Sequence, residues 1–368
     1  MRKIVILVDQ MHSHGGIEKL VAIKANYWSA VFGYDVTILS TEQAGKPIIY
    51  DLNNKVKFQD LAIDFNRKKS YFSIINILKL LKNIVRLQQF ILKKNPDFIL
   101  VASHIPMTYV LPFLITGKAK TIKEFHYTKF YDSNQGIKNK LLIFIESKYE
   151  YLVVLSKEEQ SFYYSKNTVV IPNPIEEEVN EPLITLSQRP LVAIAIVRFA
   201  PVKQLESMVE IWEQFYKNHP KWELHLYGSI GNEYYQKIFN LVHEKQLQST
   251  IVFKGQTNEV SKVLQSARVL LMTSIQECFP MVILEANAVG VPVVSFNCPT
   301  GPRNIIHEAK DGFLIPVGDQ NAFVNKLEQL SNNTLLLDTL GNNAKQNASN
   351  YILSKVMNLW NTIIFAKS

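Results

Sequence analysis

Two carboxylates, Glu277 and Glu285, stand eight residues apart in the stretch Ser274-Ile-Gln-Glu-Cys-Phe-Pro-Met-Val-Ile-Leu-Glu-Ala-Asn-Ala-Val-Gly290. Pro280 lies between them and marks a helix start, because a first turn does not use the N–H that proline lacks and its φ is already helical. The segment before it, Arg268-Val-Leu-Leu-Met-Thr273, reads as a buried strand. A strand, a short loop and a helix N-terminus make an anion site, with free backbone N–H groups pointing outward. Carboxylates are poor phosphate ligands, so Glu277 and Glu285 must serve another part of the same ligand. Sugar and ribose hydroxyls are the candidates, which is the first sign of a nucleotide-sugar site.

Cations stand at a second strand end. Arg198 follows the apolar run Leu191–Val197 directly, and Lys203 comes five residues later. A bidentate guanidinium and a point-charge ammonium together can clamp a diphosphate. In His14-Gly-Gly-Ile-Glu18 a glycine pair opens a helix, allowing close backbone approach where the helix end favours anions. The pattern is not the GxGxxG fingerprint, which argues against NAD. His126 closes the run Ile122-Lys-Glu-Phe-His-Tyr127 at another strand end; His12, His14 and His104 hold similar edge positions.

Apolar runs alternate with amphipathic stretches across both halves of the 368 residues, which implies two parallel sheets, each covered on both faces. The expected class is α/β, with two doubly wound Rossmann-like domains facing a central cleft and ligands beyond the carboxyl ends of the strands. Residues 1–172 form the first domain, 173–185 an acidic, proline-bearing linker and 186–352 the second domain. A closing helix near 353–365 can pack on either. Phe98–Gly117 is twenty residues without a full charge, but Pro106 and Pro112 interrupt it. It reads as a strand, a loop and a buried helix rather than a membrane span.

With 47% apolar and 20% charged residues the chain is a globular protein. Cys278 and Cys298 are the only cysteines, and no CxxC, HExxH or DxD occurs, so a reduced, cytoplasmic setting and no metal are expected. Charge is uneven: residues 1–172 carry 24 Lys/Arg against 14 Asp/Glu, whereas 173–368 carry 16 against 18. Between Phe65 and Asn95 there are eight cations and no carboxylate. Lys79, Lys82, Arg86 and Lys93 share one helical face there, while Ile74, Ile77, Leu78, Leu81, Val85 and Ile91 supply an apolar face for the core. Such a row fits an anionic membrane surface or a lipid pyrophosphate. Nucleic acid is disfavoured, since the helix lacks interleaved aromatics and any known motif.

Taken together, Arg198-x4-Lys203, Glu277-x7-Glu285 and Gly290-Val-Pro-Val-Val resemble the GT-B glycosyltransferases of family four. Gly15-Gly16, Val154-Leu-Ser156, Val170-Ile-Pro-Asn173, Leu226-Tyr-Gly228, Lys254-Gly255 and Asp311-Gly312 extend the likeness nearly end to end. Cys278-Phe-Pro-Met281 and Cys298–Ile306 look most like bacterial members that build lipid-linked oligosaccharides or polysaccharides, N-acetylgalactosaminyl- and hexosyltransferases among them.

The resemblance implies retaining transfer of a hexose or N-acetylhexosamine from a UDP-sugar to a lipid-linked or glycan acceptor, without metal or other cofactor. It implies that Arg198 and Lys203 neutralise the leaving diphosphate, Glu277 holds sugar hydroxyls and Glu285 the ribose. Backbone N–H groups across Cys278, Phe279, Pro280, Met281 and Val282 would meet the phosphates. Gly228, Lys254 and Gln256 would border the nucleotide, His126 the sugar near its reacting carbon, and Gly15 and Gly16 the phosphates and acceptor. Lys79, Lys82, Arg86 and Lys93 would face acceptor or membrane, placing a monomer on the inner face of the cell membrane, and the closing helix would return to the first domain. The sequence departs from the family at Val197 and Gln204, where glycines are common. A GDP-mannose-dependent mannosyltransferase and a non-catalytic nucleotide-sugar-binding subunit remain open alternatives.

Overall fold

The computed structural model describes residues 1–70, 73–130, 137–176 and 185–366. Uninterrupted apolar runs such as Ile4-Val-Ile-Leu-Val8 become strands buried on both faces, as parallel sheets demand. The chain divides into two units, Met1–Pro174 with Val356–Ser368, and Ile175–Lys355.

Unit 1 holds β1 (Lys3–Val8), β2 (Asp35–Ser40), β3 (Lys57–Asp60), β4 (Phe98–Val101), β5 (Lys120–Glu124), β6 (Tyr151–Val154) and β7 (Thr168–Val170). They pair in the order β3-β2-β1-β4-β5-β6-β7, all parallel. Helices α1 (Gly16–Ala30), α2 (Ile74–Lys94), α3 (Met107–Val110), α4 (Ile137–Glu146) and α5 (Lys157–Gln160) accompany them. The order reverses between β1 and β4, a switch point that opens a crevice at the strands' carboxyl ends.

Unit 2 repeats the plan with β8 (Val192–Ile196), β9 (Glu223–Tyr227), β10 (Ile251–Gly255), β11 (Val269–Met272), β12 (Val293–Phe296) and β13 (Gly312–Ile315). Their order is β10-β9-β8-β11-β12-β13, with the switch point between β8 and β11. Around them lie α6 (Leu205–Asn218), α7 (Glu233–Glu244), α8 (Val260–Gln265), α9 (Met281–Ala288), α10 (Gln320–Asn332) and α11 (Thr334–Ala348). Helix α9 is apolar almost all round and is accordingly buried. The closing helix α12 (Leu353–Trp360) runs into a π turn over Asn361–Phe365. Its Trp360 lies edge-on to Trp28 with ring centres 5.4 Å apart, and Phe365 meets Phe98 at 4.8 Å. Those aromatic contacts tie it into the core of unit 1.

Three readings of the sequence are corrected. The expected buried helix after β4 is only α3 and a single 3-10 turn at Leu111–Phe113, because Pro112 and Gly117 interrupt it; Phe113 and Ile115 are exposed. Among the described residues no helix is long and apolar enough to cross a membrane. The start of the expected linker is packed: Asn173 and Ile175 are buried and Ile175 bridges to Ile352, while residues 177–184 lie outside the described residues. The third concerns α2. Ile74, Ile77, Leu78, Leu81 and Val85 face outward, and only Ile91 of the expected apolar face is buried. The inner face carries Asn76, Asn83 and Leu87 instead. Asn76 faces inward because its amide donates to the carbonyls of Asn66 and Ser70 and accepts from the Asn66 N–H, closing the preceding turn.

Candidate active site

The carboxyl ends of β8, β11 and β12 meet at the switch point of unit 2. The 3-10 turn Pro201–Lys203 after β8 is fastened to the loop after β11: Thr273 Oγ1 donates to the Lys203 carbonyl at 2.9 Å, and the Ile275 N–H to the Val202 carbonyl at 3.0 Å. That loop is fastened in turn to the one after β12, where Thr300 Oγ1 donates to the Glu277 carbonyl at 2.8 Å. Gly301 has to be glycine, since a Cβ there would sit 2.4 Å from Glu277 Cβ. Thr300 and Gly301 were missed in the sequence as supports of Glu277; the only available signal was the run Cys298-Pro-Thr-Gly-Pro302.

On this frame Lys203 Nζ lies 2.5 Å from Glu277 Oε1, both side chains less than a fifth exposed. Cys298 is wholly buried beside them, and burial, reinforced by the Glu277 charge, pushes its thiol up to about 12. It is therefore a neutral packing group and no nucleophile. Helix α9 begins directly beyond, with Pro280 as its N-cap rather than inside its first turn, and no side chain caps that end. The N–H groups of Met281 and Val282 thus precede the first intrahelical acceptor and remain available to an anion. Glu285 follows one turn into the helix, half-buried.

Arg198 is exposed at the end of β8 and makes no hydrogen bond or ion pair to the described residues. Gln204 adopts φ +48°, a left-handed conformation that explains why glycine is common at this place. At the end of β9, Gly228 is dictated by space: a Cβ would fall 2.2 Å from the Val197 carbonyl oxygen. Lys254 and Gln256 are exposed around the end of β10. Lys203 and Glu277 are thus in contact in unit 2, Arg198 stands at the end of β8, residues 278–282 and Glu285 follow Glu277 into α9, and Gly228, Lys254 and Gln256 lie at the ends of β9 and β10.

Unit 1 carries a separate polar cluster at its own switch point. Ser103 Oγ, beyond β4, donates to Asp9 Oδ1, beyond β1, at 2.8 Å. Glu124, the last residue of β5, forms a buried ion pair with Lys24 of α1, and His126 Nε2 lies 3.4 Å from the same carboxylate. Burial alone would raise the Glu124 carboxyl, but Lys24 and His126 hold it well below the usual carboxylate range. Burial lowers His126, against the pull of Glu124, so the imidazole is neutral at pH 7. Gly15 is the N-cap of α1, and Glu18 folds its carboxylate against it.

Lys123 is also buried, donating to the Ser103 carbonyl at 2.8 Å, and burial lowers it to about 7. Above that pH the folded protein has released a proton that the unfolded chain keeps until about 10.4, so the lysine's penalty fades as pH rises. Relative to Lys123→Met, the native protein should gain up to about 1.4 kcal/mol per pH unit between pH 7 and 10, read by denaturant unfolding. A flat difference would show that Lys123 stays charged inside.

Residues 178–347, nearly all of unit 2, match the family of glycosyl transferases group 1. The chain is 24% identical over 369 residues to an uncharacterized glycosyltransferase of Haemophilus influenzae, covering 99% of this chain and 100% of that one. It is likewise 24% identical over 375 residues to the amylovoran biosynthesis glycosyltransferase AmsD of Erwinia amylovora, with the same coverage. This protein is a glycosyltransferase. Its fold is that of the GT-B enzymes. The solved structure of S. aureus TarM with UDP, alpha-GlcNAc-glycerol and Fondaparinux superimposes with a TM-score of 0.79 over 98% of this chain and 99% of that one, at 16% identity. The transferase thus combines a group 1 domain in unit 2 with a sheet of its own in unit 1.

In α2 of the transferase the four expected surface cations do lie along one flank, but three are engaged. Lys79 donates to the Asp64 carbonyl, Lys82 to that of Ala62 at 3.2 Å and Arg86 to that of Leu61. Lys93 is exposed and makes no hydrogen bond or ion pair to the described residues.

Proposed function

We propose that the protein is a retaining, metal-independent transferase of the family-four type, moving a hexose or N-acetylhexosamine from a UDP-sugar to a lipid-linked oligosaccharide or polysaccharide precursor. The observation that carries this reading is the Lys203–Glu277 pair beside the uncapped start of α9 and the unpaired Arg198. Two cations and two N–H groups suit a diphosphate that gains charge as the sugar leaves, and such preorganised donors supply the largest part of most transfer catalysis. Glu277 accepts from sugar hydroxyls and Glu285 from the ribose. Gly228, Lys254 and Gln256 border the base.

We assign the acceptor to unit 1, where neutral His126 at the end of β5 can accept a hydrogen bond from a hydroxyl. AmsD is an amylovoran biosynthesis glycosyltransferase, and the TarM structure holds UDP with alpha-GlcNAc-glycerol; these support a UDP-sugar donor and a glycan acceptor here. The enzyme works as a monomer at the cytoplasmic face of the membrane, with no nucleic-acid partner. A thermal-shift and hydrolysis panel of UDP-, GDP- and dTDP-sugars tests the donor. Stabilisation and slow hydrolysis should occur with UDP-sugars; response to GDP-mannose alone would replace this reading by a mannosyltransferase, and binding without turnover on any acceptor by a non-catalytic subunit.

A further inference from the structure

Helix α2 is unusual in having two apolar faces. Leu87 and Ile91 point into the core, while Ile74, Leu78, Leu81, Val85 and Leu92 point away from it. At about 100° per residue these outer five fall on one narrow stripe. They are not marginally exposed: Ile74 is 78%, Leu78 61% and Leu92 62% accessible.

The stripe continues beyond the helix. Gln88 pairs with both backbone groups of Ile115, donating to its carbonyl at 2.7 Å and accepting its N–H at 3.1 Å. Ile115 is itself 70% accessible. Two residues earlier, exposed Phe113 stacks on exposed Phe144 of α4, with Leu141 one turn away and Lys148 Nζ 4.8 Å from the Phe144 ring centre. A connected apolar band of this extent on a folded unit marks a surface that meets something.

We infer that this band is inserted into the interfacial layer of an anionic lipid leaflet. Charge chooses this occupant over a second copy of the chain. The flank of α2 beside the stripe carries Lys82, Arg86 and Lys93, and no carboxylate occurs between Phe65 and Asn95. A two-fold interface would set that row against its own copy with nothing to neutralise it. A lipid surface presents anions at the depth where the cations stand and hydrocarbon where the leucines stand. Between β3 and α2 opens a cavity of about 640 Å³ lined by Lys57, Asp60, Arg86, Lys93 and Lys94; Lys57 and Lys94 are held by Asp35 and Arg86 by the Leu61 carbonyl, which leaves Lys93 to meet a phosphate headgroup.

The band thus assigns membrane contact to apolar side chains, with the cations setting lipid preference. In bringing unit 1 to a lipid-borne acceptor the inference rests on the function proposed above, but its evidence and its test are separate. Reversing Lys79, Lys82 and Arg86 would be a poor test, because it would also break their bonds to the 61–64 turn.

The test uses the full chain with phosphatidylcholine vesicles, with and without 30% phosphatidylglycerol. The native protein should bind the anionic vesicles and keep a measurable part of that binding in 0.5 M salt. Leu78→Ser/Leu81→Ser/Val85→Ser should lose on the order of a hundredfold in partitioning with an unchanged melting temperature. An environment-sensitive dye on Leu81→Cys should shift to the blue on binding. No shift, or triple-variant binding equal to native, overturns the proposal, as does a native dimer that the triple variant converts to monomer. Vesicle insertion without UDP-sugar turnover would leave this surface standing and remove the UDP-sugar donor proposed above; UDP-sugar turnover on a soluble acceptor without insertion would do the reverse.

Discussion

Lys203→Ala should lower kcat by about 10² to 10³ while the protein remains folded, because an ammonium aimed at the leaving diphosphate acts on charge that grows in the transition state. Glu277→Ala should do comparable damage by another route. Lys203 and Glu277 lie 2.5 Å apart, so removing the acid unpins the ammonium in addition to deleting the sugar contact proposed for Glu277. The two losses should therefore not add. In the double variant the combined effect should fall short of the product of the singles, as for any pair sharing one interaction. The pair is less than a fifth exposed, so each single variant should also lose some stability by leaving the other charge without its partner, and unfolding midpoints are read alongside the kinetics. Steady-state kinetics on the two singles and the double check this. Native turnover in either single variant would remove the pair from the mechanism.

The second large effect concerns stability. Lys24 and Glu124 are both almost wholly buried and bonded to one another. Lys24→Met removes one charge and strands the other, which should cost about 3–5 kcal/mol. His126 gives that cost a pH dependence. It already lies 3.4 Å from Glu124, and Lys24 is one of the charges that lowers it. Without Lys24 the imidazole should titrate higher than in the native protein, while burial, the largest influence, and Lys123 still lower it. The penalty for charging His126 inside the fold is therefore smaller in the variant than in the native protein, and that difference counts only at low pH. The variant's loss relative to native should thus be larger near pH 8 than near pH 5.5, read by denaturant unfolding at the two values. An equal loss at both would show that His126 does not respond.

Much of the fold is legible because parallel strands are continuous apolar runs. Ile4–Val8, Val192–Ile196 and Val293–Phe296 announce themselves, and they set the strand ends where the chemistry must lie. Strand β3, Lys57-Phe-Gln-Asp60, is too short and polar to be seen; as an edge strand it has one open side and half its residues face water. The α2 orientation was illegible for a different reason. Periodicity shows that a helix has an apolar face, and α2 has two; the choice is made by Asn76, whose hydrogen bonds to the 66–70 turn no helical wheel displays. The charges of the candidate site were visible as residue types, whereas their pairing was not. That Lys203 meets Glu277 follows from β8 and β11 being neighbours across the switch point, a property of topology and not of either segment.

The transfer proposed for the β8–β11 end of unit 2 takes a sugar from a UDP-sugar with retention at the anomeric carbon. Proton NMR of one turnover reaction, with an α-linked UDP-hexose or UDP-N-acetylhexosamine and a soluble glycan acceptor, reads it directly. An axial anomeric linkage in the first-formed product, undiminished by a chelator, is the predicted result. An equatorial linkage, a chelator-sensitive rate, or UDP-sugars left intact by a protein that turns over another nucleotide-sugar would contradict it.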